Sequence, residues 1–159
     1  MSNSQNPATY ERTLAMLRTA LGDNIVNALD DPKVIEIMVN PDGKLWLDKH
    51  GAGMLDTGVI ISHQQAERVV RLVGTHINQD VTTDNPIVSA ELPGNGERFE
   101  GLLPPVVYAA AFSIRKGAAK IFTLGDYVES GTMTIAQADA LSYAVNTKLN
   151  ILIVGGTSS

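Results

Sequence analysis

Leu14, Leu17, Leu21, Ile25 and Leu29 recur at steps of three and four through an otherwise polar stretch. That spacing predicts one apolar stripe on a helix from Tyr10 to about Leu29. Residues 1–9 carry no such pattern and read as a flexible tail. The period then shortens. After Asp-Asp-Pro-Lys at 30–33, the run VIEIMVN alternates, with Ile35, Ile37 and Val39 on one side. Pro41, Asp42 and Gly43 are turn residues, and KLWLDKH follows as a second strand, so a hairpin is expected. A third short strand lies within MLDTGVII (54–61). Ser62 stands three residues before Gln65, a capping-box spacing. The helix it opens carries Ala66, Val69, Val70, Val73 and Ile77 on one face.

IVSAEL (87–92) and ERFEGLL (97–103) flank Pro-Gly-Asn-Gly, a second hairpin, and PPVVYA leads to a further strand, AAFSIRK (110–116). Residues 117–134 hold three glycines and read as a linker. Thr134 caps a helix bearing Ile135, Ala138, Leu141 and Val145, and NILIV (150–154) reads as a last strand. Hairpins and helices segregate before Lys116, so the fold class is α+β. Residues 10–116 form a domain with an antiparallel sheet of about six strands flanked by helices. Residues 135–159 have another character: four consecutive branched residues suit a strand buried on both faces of a parallel sheet.

Composition narrows the function. Apolar residues make up 44% and charged residues 18% of 159, and the net charge is -5. No basic excess points to direct nucleic-acid binding. The absence of cysteine excludes disulfides and thiolate metal sites. The polar N-terminus is not a signal peptide, and no apolar run approaches the roughly 20 residues that span a bilayer. A cytoplasmic protein, able to dock on a membrane complex, is expected.

Two features carry chemistry. Gly155 follows the apolar run directly, and Gly156, Thr157, Ser158 and Ser159 fill the four variable positions of a phosphate-binding loop, G-x-x-x-x-G-K-[ST]. Small residues suit it because backbone N–H groups must converge on the phosphate. The final Gly, Lys and Thr of that pattern would fall beyond Ser159. The bland alternative is a flexible glycine-serine tail. The second feature is a pair of arginines. A hairpin centred between Val106 and Val107 puts Arg98 across from Arg115, with Phe99 and Gly101 facing the same way as Phe112 and Ile114. Like charges directly opposite destabilise a strand pair unless an anion lies between them. The alternative is that Glu91, Glu97 or Glu100 neutralises them.

Other polar residues are weaker candidates. His50, His63 and His76 lack metal-ligand clustering, so no metal site is expected within the chain. Asp30 and Asp31 read as a helix end. Trp46 faces away from Leu45 and Leu47. Phe122 and Tyr127 are either linker anchors or a border for an aromatic base.

ILIVGGTSS resembles the strand and P-loop start of the secretion-superfamily ATPases of type IV secretion systems. GERFEGLLPPVV followed by AFSIRK resembles their N-terminal domain signature. The resemblance runs from about Tyr10 to Ser159. It implies an N-terminal α+β domain joined to a RecA-like motor domain, a homo-oligomeric, hexameric ring, and ATP with Mg²⁺ bound between the domains. It further implies that Arg98 and Arg115 contact the nucleotide phosphates. Partners would be other secretion components at the inner membrane, with the protein peripheral to that complex. On this reading residues 1–159 end inside the P-loop and are inactive by themselves. A non-catalytic docking module of the same machine is the alternative. A small-ligand sensor leaves the terminal strand and loop unexplained.

Overall fold

A computed structural model describes residues 7–117 and 122–155, with side chains from Tyr10 onward. The chain divides into two compact units, 1–119 and 120–159.

The first unit opens with α1, Pro7–Asp30, three residues earlier than the apolar stripe suggests. Leu17, Leu21 and Ile25 are buried along it. The helix is not continuous: Gly22 has φ 75° and ψ 167°, a conformation essentially restricted to glycine, and breaks it. The break frees backbone carbonyls, which need new partners. Gln65 supplies them, its side-chain amide donating to the Ala20 and Leu21 carbonyls at 3.1 and 3.0 Å. Gln65 therefore does not complete a capping box, although its backbone N–H does donate to the Ser62 hydroxyl at the N-cap of α2, His63–His76.

Six strands appear in the expected order: β1 Val34–Val39, β2 Lys44–Lys49, β3 Gly53–Ile60, β4 Ile87–Glu91, β5 Arg98–Leu102 and β6 Ala111–Arg115. They form one sheet ordered β3-β2-β1-β6-β5-β4, every neighbouring pair antiparallel. The fold class is α+β. One expected alternation fails locally. The β1–β2 register shifts between Val34 and Glu36, so Val34, Ile37 and Val39 are buried while Ile35 is only half-buried. A bulge inserts one residue and so changes which side chains face inward.

Both long helices lie on one sheet face, over a core of Leu21, Ile25, Val69, Val70, Phe99 and Ile114, among others. Gly101 lets α2 approach β5. A Cβ there would lie 2.9 Å from both Val70 methyls and 2.7 Å from the Phe99 ring. Phe99 stacks on Phe112 at 5.6 Å, and Phe112 is paired opposite Gly101. The Pro104–Pro105 peptide in the β5–β6 connection is cis.

The second unit holds α3, Leu124–Glu129, and α4, Ile135–Asn146. Each opens on a complete capping box, Thr123 with Asp126 and Thr134 with Gln137. The segment expected as a linker thus contains a short helix. Neither helix buries a residue. The expected strand at NILIV is not formed: residues 150–155 carry no regular structure, and Leu152 and Ile153 are 87% and 90% exposed. A strand exists only with a partner to pair its backbone, and among the described residues this unit has none.

Candidate functional site

Arg98 is the first residue of β5 and Arg115 the last of β6, and the two are paired directly opposite each other. Opposite residues of an antiparallel pair share a face. Both arginines are exposed, while Phe99 and Ile114, adjoining them in sequence, are buried beneath the helices. The register expected from the β5–β6 hairpin is the one formed. The apolar alternation on both strands determines it, because a one-residue slip would turn Phe99 and Ile114 outward.

The same row continues in both directions. Glu91 of β4 pairs with Arg98, Glu36 of β1 with Arg115, and Asp48 of β2 with Glu36. Two positive residues therefore sit side by side between acidic ones. Among the described residues neither arginine forms an ion pair. The salt bridges lie elsewhere: Arg18 with Asp30, Lys44 with Asp56, Lys49 with Asp31 and Arg71 with Glu67. No salt bridge joins either arginine to Glu91, Glu97 or Glu100 among the described residues, although Glu91 is paired opposite Arg98. Glu97 is buried, and Glu100 accepts a hydrogen bond from Ser89 at 2.6 Å. Two exposed guanidinium groups on adjacent strands, flanked by Glu91 and Glu36, present planar N–H donors to solvent, the donor set that suits phosphate oxygens.

The other candidates separate. Gly155 is described and exposed, whereas Gly156, Thr157, Ser158 and Ser159 lie outside the described residues. His50 and His63 are exposed and His76 half-buried, and among the described residues no three His, Asp or Glu side chains gather to hold a metal. Trp46 is half-buried on the sheet face opposite buried Leu45 and Leu47. Phe122 and Tyr127 pair at 5.8 Å within the second unit.

One grouping has no signal in sequence spacing. The Asp31 carboxylate accepts from Lys49 Nζ and from the Lys33 backbone N–H, each at 2.9 Å. The Lys49 hydrogen bond, more than any other contact, holds its pKa below the ordinary aspartate range, with Lys33 adding to it. The Asp31 carbonyl accepts from Lys116 Nζ at 2.7 Å. Four elements of the unit meet there, and no motif joins residues 31, 49 and 116.

The fold is shared with the VirB11 ATPase of the Brucella suis type IV secretion system, whose crystal structure is a complex with sulphate. The TM-score is 0.67 at 21% identity, over 89% of this chain and 45% of that one. By sequence, the chain is similar to the TrbB conjugal transfer proteins. It is 47% identical over 151 residues to the probable conjugal transfer protein TrbB of Sinorhizobium fredii, and 43% identical over 151 residues to TrbB of Rhizobium radiobacter. Each alignment covers 95% of the chain and 46% of the relative, so the chain spans about half the length of the curated relatives it matches. The protein VirB11 of Agrobacterium fabrum is 33% identical over 102 residues, 63% of this chain and 29% of that protein. No family model matches the chain.

Proposed function

We propose that the chain is part of a type IV secretion ATPase subunit, in which the β5–β6 arginines hold nucleotide phosphate. The observation that carries this is the exposed Arg98–Arg115 couple, paired opposite each other on one sheet face of a chain 47% identical to a TrbB protein. Bound ATP would supply the reactive phosphoanhydride. The chain's own contribution is to offer two guanidinium forks, fixed by the sheet, to phosphate oxygens. Gly155 to Ser159 would begin the P-loop, with Gly-Lys-Thr supplied by the continuing polypeptide. The loop Thr and carboxylates outside the described residues would hold Mg²⁺.

On this reading the working form is a homo-oligomeric, hexameric ring, with nucleotide between the α+β domain and a RecA-like domain begun by α4 and NILIV. It works at the cytoplasmic face of the inner membrane, passing force to other secretion components. Among the described residues no helix is long and apolar enough to cross a membrane. Support comes from the relatives being roughly twice as long, which leaves room for a motor domain. The test is Mg²⁺-dependent ATP hydrolysis by a polypeptide extended to the relatives' length. Turnover is expected there and not from residues 1–159, which contain no Gly-Lys-Ser or Gly-Lys-Thr. Mg²⁺-dependent turnover by residues 1–159 would place the site elsewhere.

A further inference from the structure

Arg115 is the last residue of β6, paired with Arg98 of β5 on one side and Glu36 of β1 on the other, and the chain leaves the sheet just beyond it. Its neighbour Lys116 is fastened through both backbone and side chain. The Lys116 backbone N–H donates to the Ile35 carbonyl at 2.9 Å, extending the β1–β6 ladder by one bond. The Lys116 side chain is half-buried, and its Nζ donates to the Asp31 carbonyl at 2.7 Å. Asp31 is itself held from three directions. Its carboxylate takes Lys49 Nζ from β2 and the Lys33 N–H, and its backbone N–H donates to the Asn27 carbonyl at the end of α1. The Lys33 carbonyl in turn accepts from the His50 N–H at 2.8 Å, closing the turn onto the end of β2.

We infer that Lys116 is a positioning residue for Arg115: the clamp between Lys116 Nζ and the Asp31 carbonyl holds the end of β6 so that Arg115 stays opposite Arg98. Arg115 and Lys116 are neighbours in sequence and make opposite use of their charge. The lysine commits its ammonium to a backbone carbonyl, and the arginine keeps its fork free. Without the clamp the last pair of the β5–β6 ladder would open more often, and the two guanidinium groups would share an anion for less of the time. This inference rests on the phosphate-binding reading of the arginine couple.

The experiment uses the 159-residue chain, inorganic pyrophosphate as the probe, and NMR of the arginine Nε–Hε and backbone amide signals. In the unsubstituted chain, pyrophosphate should shift the Arg98 and Arg115 side-chain signals saturably. Lys116→Met keeps the aliphatic stem and the backbone bond to Ile35 but removes the clamp. It should weaken pyrophosphate binding about 3- to 10-fold, the worth of one hydrogen bond, and lower the heteronuclear NOE of the Arg115 amide while the Phe99 and Ile114 amides are unchanged. Lys116→Arg, which retains a donor that can reach a carbonyl, should restore both. Arg115→Ala is the control for the underlying reading. If it leaves pyrophosphate binding intact, or if the unsubstituted chain shows no saturable shift, the phosphate reading fails and the inference with it. If Arg115→Ala weakens binding but Lys116→Met changes neither binding nor the Arg115 NOE, the inference alone is overturned.

Discussion

Arg98 and Arg115 stand opposite each other because the residues next to them are apolar and must point inward. Phe99 and Ile114 fix the register, and the arginines take the positions left over. Local alternation and a turn of known centre suffice for that, so the geometry of the couple is legible in the sequence. The Asp31 hub is not, because residues 31, 49 and 116 meet only after three strands have paired. Asp31 also carries a pH dependence. Its carboxylate is favoured in the folded state by Lys49 and Lys33, so its pKa is lower folded than unfolded. The stabilisation is fully present above the ordinary aspartate pKa of about 4 and is lost as pH falls through the folded value. Thermal melts of Asp31→Asn should therefore lie below those of the unsubstituted chain at pH 6, with the gap closing toward pH 2. A gap that does not change with pH would show that the carboxylate charge contributes nothing.

Elements are legible in the sequence where one period runs without interruption, and hidden where a single backbone residue intervenes. Leu21 and Ile25 keep helical spacing across Gly22, so the stripe alone does not reveal that α1 breaks between them. Val34 and Ile35 are both good strand residues, and only pairing with β2 decides that the bulge buries the first. NILIV has the composition of a buried strand, but strand formation depends on partners that composition cannot supply. Two substitutions test these packing arguments. Gly22→Ala should destabilise the first unit by roughly 1–3 kcal/mol, since its φ and ψ admit a Cβ only with backbone strain. Gly101→Ala has no such backbone penalty. Its added methyl meets Val70 and Phe99 inside ordinary contact distance, so overpacking of about 1–3 kcal/mol is expected. Chemical denaturation midpoints measure both, and an unchanged midpoint for Gly101→Ala would mean that α2 does not sit as close to β5 as described.

At the scale of the whole molecule, the buried core belongs to the first unit, while neither helix of the second buries a side chain. Limited proteolysis should accordingly cut between Gly117 and Thr134 and leave a resistant fragment of about residues 10–116. A fragment that retained α4 intact would contradict that division of stability. The apolar residues Ile135, Val145, Leu152 and Ile153 are exposed in the second unit. In the proposed longer polypeptide they would be covered by the rest of a RecA-like domain. The proposed role of Arg98 and Arg115 is to hold nucleotide phosphate. It is tested most directly by steady-state ATP hydrolysis of the polypeptide extended to its relatives' length, with Arg98→Ala and Arg115→Ala compared with the unsubstituted protein. A charged hydrogen bond to phosphate that is made in the transition state contributes about 1.5–3 kcal/mol, so each change should lower kcat/KM about 10- to 150-fold with the fold intact. Lysine at either position should recover only part of the loss. Unchanged kcat/KM in both alanine variants would contradict the account and leave the two arginines as surface residues of the sheet.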